Sequence, residues 1–538
     1  MSINLLESLS DNIAVDADKC VACGLCVEVC ILDNLRLQAA PCSRACPLGV
    51  NPRGYARLIA RGQDEEALKL LRQVLPFPAI LGRVCSQPCE ARCFRATSDE
   101  AEPVALRALK RYLADRIAEQ EMPVPALEPN TGKRVAVIGS GPAGMMAAYD
   151  LRLRGHAVVV FEAEAQPGGL LRWAIPEFRL PLAVLEAELG LLRRMGVEFQ
   201  CGIRVGKDLS LAQIQGEFDA AVAATGCSDF HRLDIEGENL AGVTHALPFL
   251  RSVRAGQPFQ VGERVVVIGG GNAAIDAAQT ALRLGARQVF VVCLESSAEL
   301  PAFPWAVQTA LLEKICFEHC WGSVRFLGQS GAVRAVEAQR CLRVYDESGA
   351  FAPRFDPSDR RTFPADTVIV AVGQRRDLCA LEGAGLSRDG EAWADPLTLE
   401  TANERIFLAG DLVSGSSTVV EAMASGRQAA ESVNRFLRGE PLAYGRGCAG
   451  PILTDFPILI RADLPKKRAA LPLRPCPSRG SFVEIEQAYD QQTARQEASR
   501  CNACGQPVGF YRTCWFCLPC EVECPYEALR VEIPYLLR

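Results

Sequence analysis

Histidine is scarce in this chain, with four residues in 538 (His156, His231, His245 and His319). None stands at a metal-ligand spacing from another, and no Ser/His/Asp or Cys/His nucleophile pattern accompanies them, which argues against hydrolytic chemistry. His319 lies near Cys316 and Cys320, a trio without a fourth ligand, and His156 follows Gly155 at an expected helix end. Long apolar runs are missing too: none approaches the roughly 18 residues that a membrane span needs. The opening MSINLLESLSDN has neither the basic region nor the apolar stretch of a secretory signal, so a cytoplasmic location is expected. Positive charge is not in excess. A net charge of -6 offers no electrostatic reason for nucleic acid or an anionic membrane as partner. With 49% hydrophobic and 23% charged residues the chain reads as folded, and its length exceeds one hydrophobic core, so three or four domains are expected.

Cysteine, by contrast, is abundant. The 24 cysteines fall as nine before residue 100, six after residue 500 and nine scattered between. Disulfide-dense proteins are short secreted chains, whereas clustered cysteines in a long cytosolic chain point to metal. The scattered ones, such as Cys201, Cys227, Cys293 and Cys341, share no ligand spacing and are read as small buried hydrophobes. Cys20, Cys23, Cys26 and Cys30 form C-x2-C-x2-C-x3-C, and Cys514, Cys517, Cys520 and Cys524 repeat the spacing ahead of Pro525. Bacterial ferredoxins use this run, three thiolates wrapping one [4Fe–4S] cube and the fourth serving another cluster. Structural zinc sites favour paired CxxC knuckles set further apart. Each run leads into a short apolar strand, Leu35–Gln38 and Ala528–Ile533. Two arrangements stand open. The runs pair across the chain into one ferredoxin-like module, with Cys30 serving the C-terminal run's cube and Cys524 the N-terminal run's, or each run makes its own site.

Two glycine fingerprints occupy the middle of the chain. In RVAVIGSGPAG (134–144) a β-branched strand enters Gly139-x-Gly141-x-x-Gly144, followed by a helical stretch and a second strand ending at Glu162. Such glycines let the backbone approach a pyrophosphate at a helix N-terminus, and an acid at the end of the second strand can bind the adenosine ribose. RVVVIGGGNAAID (264–276) repeats the pattern with Gly269, Gly271 and Ala274, and the strand QVFVV follows.

The segment FVEIEQAYDQQTARQEASRCNAC (Phe482–Cys504), the element CSRACP (Cys42–Pro47), GRVCSQPCEARC (Gly82–Cys93) and the two fingerprints in this order together resemble the small, FAD-containing subunit of glutamate synthase. The resemblance covers about residues 41–440 plus 480–504. It implies an α/β protein with two Rossmann-like domains of the two-dinucleotide flavoprotein type, FAD first, beside a helical iron–sulfur domain and a ferredoxin-like α+β module. FAD contacts are implied at Gly139, Gly141, Pro142, Ala143, Gly144, Glu162, Gly169, Leu170 and Arg172. They are implied again in the returning element FLAGDLVSGSSTVVEAMASGRQAA, at Gly410, Asp411 and Thr418. Nicotinamide contacts are implied at Gly269, Gly271, Asn272, Ala273, Glu295 and Gly373. Family members that use NADP place two arginines where this chain has Leu294-Glu295-Ser296. A carboxylate there accepts from a 2′-hydroxyl and repels a 2′-phosphate, so NAD(H) is expected over NADP(H), unless Glu295 only begins a solvated loop.

In that family two cubes of the helical domain are held by seven thiolates, here Cys42, Cys46, Cys85, Cys89, Cys93, Cys501 and Cys504. A glutamate can be the eighth ligand, but this chain has Lys110-Arg111-Tyr112 at that place, which leaves the eighth ligand and the sharing of the thiols open. With the terminal runs, about four [4Fe–4S] clusters are expected. The expected divisions are 1–40 (half of the ferredoxin-like module), 41–125 (helical cluster domain, with one helical periodicity over Arg53–Val74), 126–250 and 376–445 (FAD-binding), 251–375 (NAD-binding) and 446–538 (a C-terminal wrap back to the N-terminal region). The implied function is an NADH-linked flavin iron–sulfur electron-transfer subunit of a multi-subunit oxidoreductase, of 2-oxoacid or aldehyde:acceptor type, whose partners are catalytic subunits or ferredoxin. A stand-alone or bifurcating NAD(P)H:ferredoxin oxidoreductase, a glutamate synthase small subunit, and an electron-relay scaffold without a working nicotinamide site are the alternatives.

Overall fold

The computed structural model describes residues 13–98, 100–116, 123–381, 385–388, 391–447, 450–461, 463–475, 481–509, 514 and 517–532. Two five-stranded parallel sheets form its centre. The first runs Ile406–Leu408, Ala220–Ala223, Arg134–Ile138, Ala157–Glu162, Glu198–Cys201 in spatial order. Its strands are near-continuous apolar runs because helices cover both faces. The helices Pro142–Leu153 and Val419–Arg438 pack against each other and against this sheet. Their close approach depends on Gly426, where a Cβ would lie 2.1 Å from the carbonyl oxygen of Ala143.

The second sheet runs Cys316–Glu318, Gln288–Val292, Arg264–Ile268, Thr367–Val370, Val243–His245. It is interposed in sequence before Ile406–Leu408 returns the chain to the first sheet. The sheet takes in Val243–His245, and the division expected at 250/251 falls inside the helix Ala246–Arg254. One face carries an antiparallel three-stranded sheet, Trp321–Gln329, Ala332–Tyr345 and Phe351–Pro364. Phe326, Val336 and Phe363 from that sheet share a core with Val266 and Val368.

The helical region packs Pro52–Ala60, Asp64–Arg72, Pro78–Val84 and Leu106–Asp115 on the first Rossmann unit, burying Leu58, Leu71, Ile80 and Leu109 in the same core as Val135 and Met146. The single periodicity expected over Arg53–Val74 is two helices. Gly62 takes φ 77 between them, and a Cβ there would press on Arg495 at 2.7 Å. Left-handed backbone suits glycine and ends a helix.

The chain ends meet. Ile13–Val15 pairs antiparallel with Leu529–Val531, and Leu35–Gln38 lies between Ile452–Leu453 and Pro507–Gly509. Cys26, Val27 and Leu35 share a small core with Cys514, Cys520, Leu529 and Val531. The C-terminal wrap is held to the helical region by charge pairs whose arginines are buried and whose acids are partly buried. Glu484 pairs with Arg83 at 2.7 Å and Glu486 with Arg107 at 2.6 Å. Glu497, wholly buried, accepts from the Ala105 amide at 2.8 Å and pairs with Arg500 at 2.7 Å. Removing one partner of a pair so buried costs about 3–5 kcal/mol, because an uncompensated charge is left behind. Among the described residues no helix is long and apolar enough to cross a membrane.

Candidate functional site

A cavity of about 720 Å³ lies between the two Rossmann units and is lined by both fingerprints. Each glycine at the strand end is dictated by a neighbouring strand. A Cβ on Gly139 (φ 104) would stand 2.4 Å from the Ala224 carbonyl oxygen, and one on Gly269 (φ 126) 2.4 Å from that of Ala371. Gly141 and Gly271 have nothing within 4 Å of such a Cβ, so the backbone there is open toward the cavity. That is the cradle a pyrophosphate needs. Gly144 instead serves helix–strand packing: its Cβ would collide with the Gly139 carbonyl oxygen at 1.9 Å, and it does not line the cavity.

Pro142, Ala143, Glu162, Gly169 and Leu170 line the first half of the cavity. Glu162 is buried and accepts from the Ser140 amide at 3.1 Å, from the Ser140 hydroxyl and from the Glu164 amide at 2.8 Å, so it also fixes the fingerprint turn. Gly410, Asp411 and Thr418 close this half from the returning element. Burial pushes the Asp411 carboxyl above its ordinary range, opposed by the Ser417 hydroxyl, which donates to it at 2.5 Å. Thr418 caps the helix Val419–Arg438 in a capping box with Glu421, leaving the positive helix end at the cavity wall. Arg172 departs from expectation. Its guanidinium donates to the Pro167 carbonyl at 2.6 Å, to Gln166 at 2.9 Å and to Glu186, and it does not line the cavity. Its carboxylate and carbonyl partners lie behind the glycine turn, which it braces.

In the second half, Asn272, Ala273, Glu295 and Gly373 line the cavity. Asn272 accepts from the Phe303 amide at 3.0 Å. The Glu295 carboxylate folds over the glycine turn, and a Cβ on Gly270 would lie 2.7 Å from it. It is half-buried, which raises its carboxyl above the ordinary value. Trp321, Phe351 and Phe355 form an aromatic wall beside it. Sequence inspection offered no signal for these aromatics, which arrive on the antiparallel sheet. Arg179 was also missed. It pairs with buried Asp276 at 2.7 Å and ties the first Rossmann unit to the helix Asn272–Arg283 of the second. It lies in the segment IPEFRLP (Ile175–Pro181), which carries no fingerprint glycine.

The thiols gather in two regions. In the terminal module, Cys23 and Cys26 stand within electrostatic reach of Cys20 and of Cys524, from the other end of the chain. Cys520 in turn stands near Cys30, Cys514 and Cys517. The last thiol of each run thus lies with the first three of the other. In the helical region Cys42 neighbours Cys93, Cys501 and Cys504, Cys89 neighbours Cys85 and also Cys42, and Tyr55 lies near Cys42, Cys46 and Cys89. Burial and thiol–thiol repulsion push Cys26 and Cys504 up to about 12 and Cys520 to about 11. Without a metal such thiols stay protonated, and coordination would take them as thiolates with release of the protons. Among the described residues no three His, Cys, Asp or Glu side chains converge tightly enough for a single ion. A four-iron cube spaces its thiolates more widely, and the all-thiol donor sets suit it.

Comparison with known proteins agrees with this architecture. The family model described as pyridine nucleotide-disulphide oxidoreductase matches residues 133–426. The model for dihydropyrimidine dehydrogenase domain II, 4Fe-4S cluster, matches residues 34–122, and a 4Fe-4S binding domain matches residues 13–32. The chain is 34% identical to the NADP(+)-dependent formate dehydrogenase subunit beta of Moorella thermoacetica, over 86% of this chain and 70% of that one. It is 33% identical to the glutamate synthase [NADPH] small chain of Mycobacterium tuberculosis, over 74% of this chain and 86% of that one. Among solved structures, a mutant of FprA from Mycobacterium tuberculosis shares the fold with a TM-score of 0.50 at 18% identity, covering 57% of this chain and 85% of that one.

Proposed function

This chain belongs to the pyridine nucleotide-disulphide oxidoreductase family, as an NAD(P)H-dependent oxidoreductase with FAD, nicotinamide and 4Fe-4S domains, and we propose that it is the NADH-linked electron-transfer subunit of a larger oxidoreductase. One observation carries the reading. The cavity lined by both glycine fingerprints also reaches Val84, whose chain neighbour is the thiol Cys85, so the nucleotide sites and the helical thiols adjoin one another.

On this reading Gly139, Gly141 and the start of the helix Pro142–Leu153 hold the FAD pyrophosphate, and Glu162 holds its ribose. Asp411 and the helix end at Thr418 face the rest of the cofactor. Gly269, Gly271, Asn272 and Ala273 hold the nicotinamide dinucleotide. When bound, the flavin converts a hydride into single electrons and the cubes carry those electrons one at a time. The chain's own residues position the two dinucleotides in one cavity, and the Arg179–Asp276 pair sets the two Rossmann units against each other. About four [4Fe–4S] clusters complete the relay, two in the terminal module and two in the helical region. The low potentials open to ferredoxin-type clusters favour a 2-oxoacid or aldehyde:acceptor oxidoreductase as the catalytic partner.

Glu295 favours NADH, although both relatives above are named for NADP or NADPH. Its carboxylate would oppose a 2′-phosphate and accept from a 2′-hydroxyl. Glu295→Arg is expected to move the NADPH/NADH ratio of kcat/KM upward by at least about tenfold, or about 1.4 kcal/mol. An unchanged ratio, or a wild type that already prefers NADPH, refutes the assignment. The subunit reading is tested by native mass in the source cells. Elution well above the mass of the chain, with a second subunit in fixed ratio and NADH:viologen activity in the same peak, supports it. A lone chain that reduces ferredoxin unaided replaces it with the stand-alone reading.

A further inference from the structure

Two cubes in the helical region present eight irons, and the region supplies seven thiols. Cys42, Cys93, Cys501 and Cys504 lie together, with Cys42 also near Cys89, and the second cube is left Cys46, Cys85 and Cys89, of which Cys46 and Cys89 both lie near Tyr55. Among the described residues the acid acting on Cys89 is Glu90, and both of its oxygens are engaged. One accepts from the Arg107 amide at 2.7 Å, the other from Arg468 at 3.0 Å. The Tyr55 hydroxyl is likewise committed, donating to the Leu106 carbonyl at 3.0 Å.

Lys110 remains. It stands on the helix Leu106–Asp115, only 6% exposed, and acts electrostatically on Cys89. Among the described residues its ammonium has no hydrogen bond or carboxylate partner, whereas Arg83, Arg107 and Arg111 around it all have acids. Burying a lone cation costs several kcal/mol unless a negative group offsets it. Among the described residues the group beside Lys110 is the Cys89 thiol, which turns negative when it binds metal.

We propose that Lys110 is the buried counter-cation of the cube held by Cys46, Cys85 and Cys89, a cube with three protein thiolates and no fourth protein ligand. The assignment rests on the two-cube reading of the helical region. Its consequence follows from charge. A cluster becomes more negative on reduction, so a fixed ammonium beside it, together with one thiolate fewer, favours the reduced form and raises the reduction potential. Lys110 thereby sets this cube above the four-thiolate cube beside it, giving the relay a defined order of potentials.

The test is a reductive titration of the iron-loaded full-length protein followed by EPR, with iron and sulfide counted on each sample, for wild type, Lys110→Met and Lys110→Arg. One cluster signal is expected to move to lower potential in Lys110→Met while the others hold, and Lys110→Arg is expected to restore it. Arginine keeps the charge but cannot bind iron, so the restoration separates charge from coordination. If Lys110→Met does not fold, Lys110→Leu removes the same charge without offering iron a donor atom and reads the same shift. Unmoved potentials in the neutral variant, or a shift that arginine fails to restore, overturn the assignment. A wild type with only one cube in the helical region overturns the two-cube reading and the assignment with it, a failure visible in the iron count before any substitution is made.

Discussion

The terminal module and the helical region both gather thiols from the two ends of the chain, but they do so with different arithmetic. The module takes four cysteines from each end and exchanges the last of each run, so that Cys524 lies with Cys20, Cys23 and Cys26 while Cys30 lies with Cys514, Cys517 and Cys520. The exchange is symmetric, and neither half has a complete set without the other. The helical region takes five cysteines from residues 42–93 and borrows Cys501 and Cys504, an odd set of seven beside Lys110. Its borrowed pair arrives on a segment anchored by charge pairs, Glu484, Glu486 and the buried Glu497 against Arg83, Arg107 and Arg500. The contrast teaches that a local cysteine run states the type of site, while the completeness of the site depends on contacts made across the whole chain.

The largest expected effect breaks the module and spares the helical region. Deleting residues 505–538 should remove about eight iron atoms per chain, two cubes, and leave flavin content unchanged, as iron analysis of the anaerobic protein would record. Loss of every cluster would mean that the two regions are not separable. Cys501→Ser should do the reverse, removing about four iron atoms while the module keeps its EPR signals.

A third expectation concerns the wrap. Arg107→Met strips Glu486 of its closest partner, at 2.6 Å, and should destabilise the loaded protein by about 3 kcal/mol in chemical denaturation. It should also loosen Cys501 and Cys504 without touching the module; equal cluster loss from both regions would count against the distinction.

The smallest effect sharpens how the helical region is seated. Glu188, on the helix Leu182–Arg194, is fully buried and accepts from the Ala79 and Ile80 amides at 2.7 and 3.1 Å. Burial raises its carboxyl to about 8. A raised carboxyl contributes stability that is present below its unfolded range and is lost as pH rises through about 8. Between acidic and mildly alkaline pH, wild type should therefore lose on the order of 2 kcal/mol more than Glu188→Gln. Parallel pH profiles for the two proteins would remove this seat from the account.

The features legible in the sequence are the ones encoded locally. The ferredoxin spacing, the glycine turns and the acids Glu162 and Glu295 each lie within a few residues of the backbone geometry they serve, and the structure places both acids at the cavity. The exchange of Cys30 and Cys524 could be anticipated because the two runs repeat one spacing. The sequence was silent where a residue's partner is distant. Arg172 sits beside a glycine turn like a cofactor ligand, yet Glu186 and the Pro167 carbonyl claim its guanidinium. The aromatic wall of Trp321, Phe351 and Phe355 comes from strands whose alternation says nothing about which face meets the cavity. The break at Gly62 hides inside a helical periodicity that continues on both sides of it.

The central claim is that one chain joins NADH, FAD and four cubes into a single relay. Anaerobic titration of the as-isolated protein with NADH and then NADPH tests it most directly, with flavin bleaching, cluster EPR and iron content followed on the same sample. The account predicts fast bleaching by NADH, little by NADPH, and about 16 iron atoms per chain, four for each cube. Fast reduction by NADPH instead would contradict the role given to Glu295, and iron near eight would contradict the ferredoxin-like module formed by the two chain ends.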